Sequence, residues 1–294
     1  GGYNWNSGAR LEPGVWTHLA LVIEPNSATI YKDGVPYVHK TSLALNDFYS
    51  SISIGADLNG GDRFFNGWID EVCLYDRSLS QNEIREIMHL TRTHSAVNGL
   101  LSYYQFNEGS AKIFDREGSH HGALSGSAEL VQSFAPVGPG SSKRLDLSAE
   151  GDYQFFPTGL TAGIAPGTQF PEGELCVSRI NYIPSTYFDP VQKPVSPSYW
   201  IVHNYGTNKN FANFNSLLFD NIGSVSALSG DKDYGLFGRF ANADTSIWSP
   251  LASSSYRIPG PDGGVEFQMV NIREGQLLIS KTNADTLVVH VNES

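Results

Sequence analysis

NGWIDEVCLYDRSLSQNEI, residues 66 to 84, carries two adjacent acids, Asp70 and Glu71, through an apolar strand and into a helix start. Gly67 to Tyr75 has the β-branched and aromatic content of a strand. Ser80 stands three residues before Glu83, the spacing of a capping box, so a helix is predicted from there. Ile84, Ile87 and Met88 share one face of that helix, and Gly99 closes the region. Side chains alternate faces along a strand, which sends Asp70 and Glu71 to opposite sides and leaves Glu71 solvated on the outer face.

On the N-terminal side the same grammar repeats. GVWTHLALVIEP (14–25) reads as a strand ending at Pro25. ATIYKDGVPYVHK (28–40) reads as a hairpin whose Asp33-Gly34 pair supplies the positive φ that a two-residue turn requires. SSISIGA (50–56) is a short strand, and the glycine-rich loop DLNGGDR (57–63) follows. On the C-terminal side, LLSYYQFNEG opens residues 100–126 as a strand and turn-rich loop. QSFAPVGPGSSKR (132–144) has the Pro, Gly and Ser density of a linker. Beyond it come ELCVSRINYI, YWIVHNYG, SLLFDNIG, YGLFGRF, VEFQMVNI, QLLISKT and TLVVHV, separated by turn signals. Arg273-Glu274-Gly275 reads as a hairpin connection between two of these runs. Short strands with almost no helical periodicity predict an all-β chain with a second β-sandwich.

Bulk properties narrow the setting. The 294 residues carry 40% hydrophobic and 17% charged side chains, enough apolar material for cores and too little charge for disorder. A net charge of −11 without a basic run argues against nucleic acid. No apolar run approaches the roughly 20 residues of a membrane helix, so no membrane span is expected. The chain starts at Gly1 without a Met or signal peptide, which reads as a processed protein or a piece of a longer one. Cys73 and Cys176 lie far apart in strand-like runs and read as two buried free thiols.

The order GVWTHLALV, IYKDGVPY, SISIGA and NGWIDEVCLYDRSLSQNEI resembles the laminin-G-like, concanavalin A-like jelly-roll modules common in large secreted and surface proteins of bacteria. The resemblance covers residues 14 to 90 and implies two antiparallel sheets stacked face to face. Such modules have several strands before the Trp-Thr-His strand, so the N-terminal half of the sandwich is expected to lie elsewhere or to be completed by other strands. LLSYYQFNEG either begins a second copy or supplies strands to the first. Residues 174–280 more loosely resemble domains that follow these modules in surface proteins exported by the type IX pathway of Bacteroidetes. The expected division is 1–95 as the C-terminal part of a jelly roll, 96–144 as strand, loop and linker, and 145–294 as a second β-sandwich.

A glycosidase needs two carboxyls facing one sugar, roughly 5 to 10 Å apart, which neighbours on a strand cannot supply. Jelly-roll glucanases resembling this module place their acids as Glu-X-Asp-X-X-Glu, and no such run exists here. Nor is there a Gly-X-Ser-X-Gly, a His-Glu-X-X-His or a phosphate-binding glycine loop. No catalytic role is expected. The resemblance places a structural calcium near Asp70, with a backbone hydrogen-bonding role as the alternative. Asp57, Asn59 and Asp62 offer further oxygen ligands for Ca²⁺ on the glycine loop, and Asp231 and Asp233 form a weaker pair. His120-His121 lacks a third ligand at defined spacing and reads as part of a polar loop, while His18 reads as a packed histidine. Trp16 and Trp68 are expected in the core. Tyr3, Trp5, Phe64 and Phe65, in loop-like stretches, are candidates to stack on a sugar face, with Tyr182, Tyr187 and Phe188 as a weaker cluster.

These readings converge on a non-catalytic adhesion or carbohydrate-binding segment, extracellular or at the cell surface. Its expected partner is a polysaccharide or a surface glycoprotein or protein. An accessory module of an exported hydrolase, or a structural spacer in a surface filament or secretion-linked assembly, are the alternatives.

Overall fold

A computed structural model describes residues 7–42, 51–56, 63–91, 98–184, 193–194, 197–225, 234–239 and 247–281, with only the backbone described at 193–194. The chain divides into two units. The first comprises Gly1–Glu12, Thr17–Ile84 and Thr91–Ala135; the second comprises Pro13–Trp16, Arg85–Leu90 and Pro136–Ser294.

In the first unit, β1 (Leu19–Glu24), β2 (Ser27–Lys32) and β3 (Val35–Thr41) form an antiparallel sheet in sequence order. The β2–β3 turn is the expected one: Asp33 and Gly34 both have positive φ, 49° and 73°. Asp33 also ties down the strand before it, because its carboxylate accepts the His18 N–H at 2.9 Å while its own N–H reaches the His18 carbonyl. His18 is half-buried at this junction.

The strand of the opening motif is β4 (Val72–Tyr75), and it pairs with β5 (Leu100–Tyr104). LLSYY therefore supplies a strand to the first unit. A two-residue ladder, β6 (Lys112–Ile113) with β7 (Gly122–Ala123), pins the loop that follows.

Helix α1 (Gln81–Ile87) starts where the capping box places it. The Glu83 N–H donates to Ser80 Oγ at 3.3 Å, and Glu83 Oε2 accepts the Ser80 N–H at 2.8 Å. Arg77 adds an ion pair to Glu83 at 2.6 Å. That pair and the cap together hold the Glu83 carboxyl down at about 2.

The second unit is a β-sandwich made from one folded ribbon of strands. Its members are β8 (Gly140–Leu147), β9 (Gly151–Phe155), β10 (Leu160–Ile164), β11 (Gly173–Ile180), β12 (Lys193–Pro194), β13 (Tyr199–Asn204), β14 (Asn213–Phe219), β15 (Tyr234–Arg239), β16 (Ser249–Ile258), β17 (Gly264–Asn271) and β18 (Gly275–Lys281). The ladder order is β8-β11-β13-β18-β15-β16-β17-β14-β10-β9, with β12 beside β18. The two ends of that path, β8 and β9, are neighbours in sequence, so the ribbon curls nearly into a barrel. β16 turns the corner: Ser249–Ser253 pair with β15, and Ser254–Ile258 pair with β17.

One cluster of buried side chains fills the interior, with Trp200, Tyr234, Phe155, Phe211, Phe219 and Phe267 its largest members. Phe219 meets Trp200 edge-on at 4.7 Å and Phe267 at 5.9 Å.

Two expectations need correction. β17 and β18 are not a hairpin, because β17 pairs with β14 and β16 while β18 pairs with β13 and β15. Arg273-Glu274-Gly275 therefore crosses from one layer to the other, a partner choice that turn residues do not encode. The linker-like stretch also ends early, since β8 starts at Gly140.

Candidate functional site

The segment leading into β4 is where the first unit presents its side chains most openly. Phe64 is 69% exposed, Phe65 47% and Trp68 59%. The segment is held by its backbone, since the Phe65 N–H donates to the Gly55 carbonyl at 2.8 Å. A Cβ at Gly67 would lie 2.7 Å from the Phe65 ring, so the missing side chain gives that ring its place. Phe134 comes up beside Trp68, ring centroids 6.2 Å apart. Trp68 is thus a surface residue, contrary to the core position expected from its apolar neighbours, and Trp16 is half-buried. Three exposed rings within five positions make an apolar patch of the kind that marks a contact surface.

The two acids sit at the end of this patch. Asp70 Oδ1 accepts the Glu71 N–H at 2.9 Å, and its Oδ2 accepts the Ser133 hydroxyl. Partial burial raises the Asp70 pKa, opposed by those two hydrogen bonds.

Glu71 departs from the sequence reading. Its φ is +53°, so the chain is not extended there and strict alternation fails. Its carboxylate turns to accept the Tyr103 hydroxyl, which also receives the Gln105 side-chain amide at 3.0 Å. Tyr103 is buried, so Glu71 satisfies a phenol in the first unit instead of lying solvated outside.

The other candidates are placed as follows. Tyr3, Trp5, Asp57, Asn59, Asp62, Tyr187, Phe188, Asp231 and Asp233 lie outside the described residues. Tyr182 is exposed at the surface of the second unit. His121 Nδ1 accepts the Asp115 N–H at 3.2 Å, and the His120 N–H donates to the Asp115 carboxylate at 3.2 Å. Asp115 is the organiser of this loop. Burial pushes its pKa up, but amides of Gly118, Tyr103 and Glu117 and the Ser102 hydroxyl outweigh that and hold it well below the carboxylate range. Cys73 and Cys176 form no disulfide; Cys73 is only half-buried, against the expectation, while burial pushes Cys176 up to about 12. Among the described residues no three His, Cys, Asp or Glu side chains gather as a metal site, and no helix is long and apolar enough to cross a membrane.

The sequence reading missed two polar assemblies in the second unit. In one, Glu174 joins Arg85 at 3.0 Å to Arg144, and Arg144 continues to Glu86 at 3.1 Å. In the other, His89 Nδ1 bonds the Pro136 carbonyl at 2.9 Å, and His89 Nε2 meets His203 Nε2 at 2.7 Å. A carbonyl only accepts, so the neutral His89 ring carries its proton on Nδ1 and accepts from His203. Burial lowers the His89 pKa to about 4. One histidine follows a helix and the other lies in an apolar strand more than a hundred residues on, so nothing in the sequence signals that they will meet.

No solved structure matches the chain. Residues 1–85, the stretch that ends with the exposed aromatics, the acids and the helix start, match a laminin-G family model described as the concanavalin A-like lectin/glucanases superfamily.

Proposed function

We propose that the chain is a non-catalytic binding segment of a secreted or surface protein, and that it recognises a polysaccharide through Phe64, Phe65 and Trp68. The observation that carries this reading is the cluster of three exposed rings, in a stretch similar to a lectin and glucanase superfamily. An aromatic face packs against the C–H bonds of a pyranose, and rings already ordered by their backbone lose little freedom on binding. Asp70 and Ser133 at the patch edge offer oxygens to sugar hydroxyls or to a structural calcium.

The test is binding of the whole chain to a panel of polysaccharides, with calcium and with chelator. Selective binding that Phe64→Ala and Trp68→Ala each weaken by about tenfold, without a change in melting temperature, supports the reading. Binding indifferent to both substitutions removes it.

A second reading is favoured by the three-stranded sheet, where Leu19, Leu21, Val35 and Tyr37 are exposed. Such a face suits assembly with other protein layers, as in a surface filament or as an accessory module of an exported hydrolase. Concentration-dependent self-association in sedimentation experiments, together with no glycan binding, would move the assignment there.

A further inference from the structure

We propose that the open end of the second unit's sandwich is a separate binding site, centred on Arg179, for a uronic acid unit of an acidic polysaccharide. Arg179 lies on β11, in register with Ser141 of β8 and Trp200 of β13. It follows Leu175 and Val177 on the inward face, so a cation takes the last position of an otherwise apolar row. The guanidinium rests 5.2 Å from the Trp200 ring, at the mouth of a groove of about 500 Å³. Pocket volumes of that order accommodate a small ligand.

The chemistry of Arg179 is incomplete. Its Nη2 donates to the Asn221 carbonyl at 2.7 Å and to Ser198 Oγ at 3.4 Å, both neutral acceptors. Nε is buried with no acceptor, and no carboxylate pairs with the group among the described residues. By contrast, Arg85 and Arg144 in the same unit are matched by Glu174 and Glu86. A half-buried cation without a counter-charge is costly, and an anionic ligand supplies what is missing. Glycine is required beside the guanidinium: a Cβ on Gly159, whose φ is +74°, would come 2.6 Å from the Asp220 carbonyl and 3.3 Å from Arg179 Nη1.

The remaining walls indicate which anion. Asn181, Ser198 and Asn221 provide amide and hydroxyl groups, and Asp262 places a carboxylate on the same groove. One guanidinium facing one acid suits a singly charged carboxylate better than a dianionic phosphate. Asp262 and the amides then bind hydroxyls of the ring that carries the carboxylate. A six-membered sugar acid satisfies both halves of the lining.

This site shares no residue with the aromatic segment, and the test keeps the two distinguishable. The whole chain is titrated by calorimetry with a short oligogalacturonate, with its carboxyl-reduced neutral counterpart and with an acidic peptide. Expected is binding of the oligogalacturonate alone, weakened about tenfold or more by Arg179→Gln and several-fold by Asn181→Ala, an exposed residue whose replacement leaves the core intact. Trp68→Ala should leave that affinity unchanged, whatever becomes of neutral polysaccharide binding. No oligogalacturonate binding, equal binding of the reduced sugar, preference for the peptide, or indifference to both groove substitutions would overturn the proposal.

Discussion

The two units spend their apolar residues differently. In the second, Trp200, Phe219, Phe267 and their neighbours close into one interior in which Phe219 meets both Trp200 and Phe267. In the first, the described buried apolar residues are scattered: Ala28, Ile84, Leu100, Tyr103, Tyr104 and Ile113 form no such cluster, while Leu19, Leu21, Ile52, Phe64, Phe65 and Trp68 face out. Alternation alone therefore does not make a core. A strand needs a facing layer, and the second unit supplies one by folding its own ribbon over. The first unit is consequently the place to look for contacts, and the second the place where stability resides.

The largest effect expected from this contrast is at Trp200. Its ring is fully buried and its Nε1 donates to the Thr158 carbonyl at 2.8 Å. Trp200→Ala should cost about 3–5 kcal/mol in denaturant unfolding, whereas Trp68→Ala should change stability by about 0.5 kcal/mol or less. Comparable losses from the two substitutions would break the comparison.

Next comes the loss of stability between pH 6.5 and 4, which should belong to the second unit, since the depressed carboxyls of Glu83 and Asp115 in the first act only at lower pH. The folded His89 ring titrates near 4, below its ordinary value of 6.5. Its contribution is therefore whole above about pH 6.5 and is lost as pH falls toward 4, on the order of 3 kcal/mol in total. Protonating His89 Nε2 would also set two N–H groups against each other across the 2.7 Å contact with His203. Unfolding measured from pH 7 to 4 should show this slope, and His89→Asn should flatten it.

A smaller loss, about 1 kcal/mol, is expected for Ser80→Ala, which removes the cap of α1. The smallest concerns Asp70. If calcium supports the aromatic segment, chelator should lower the melting temperature by a few degrees, and Asp70→Ala should abolish that difference.

Much of the architecture is legible in the chain itself. Asp33-Gly34 fixes a hairpin because few other pairs adopt two positive φ values, and Ser80 with Glu83 fixes a helix start because both partners are local. What escapes is non-local. Nothing in Arg273-Glu274-Gly275 says whether the next strand pairs back or crosses to the other layer. The positive φ at Glu71 has no glycine or asparagine to announce it, and with it went the prediction that the acid faces solvent. Trp68 looked internal because its neighbours are apolar, yet exposure depends on what lies opposite. Arg179 was invisible for the converse reason: in ELCVSRI either set of alternating residues could have faced inward.

The corner in β16 has a mechanical meaning. Because one strand hydrogen-bonds β15 with its first half and β17 with its second, the two layers share a single backbone ladder. They cannot be peeled apart by sliding side chains alone; separation requires breaking that strand's own bonds. Heating should therefore melt both layers of the second unit in one cooperative step, and a chain cut between Ser253 and Ser254 should lose that unity even with the interior side chains unchanged.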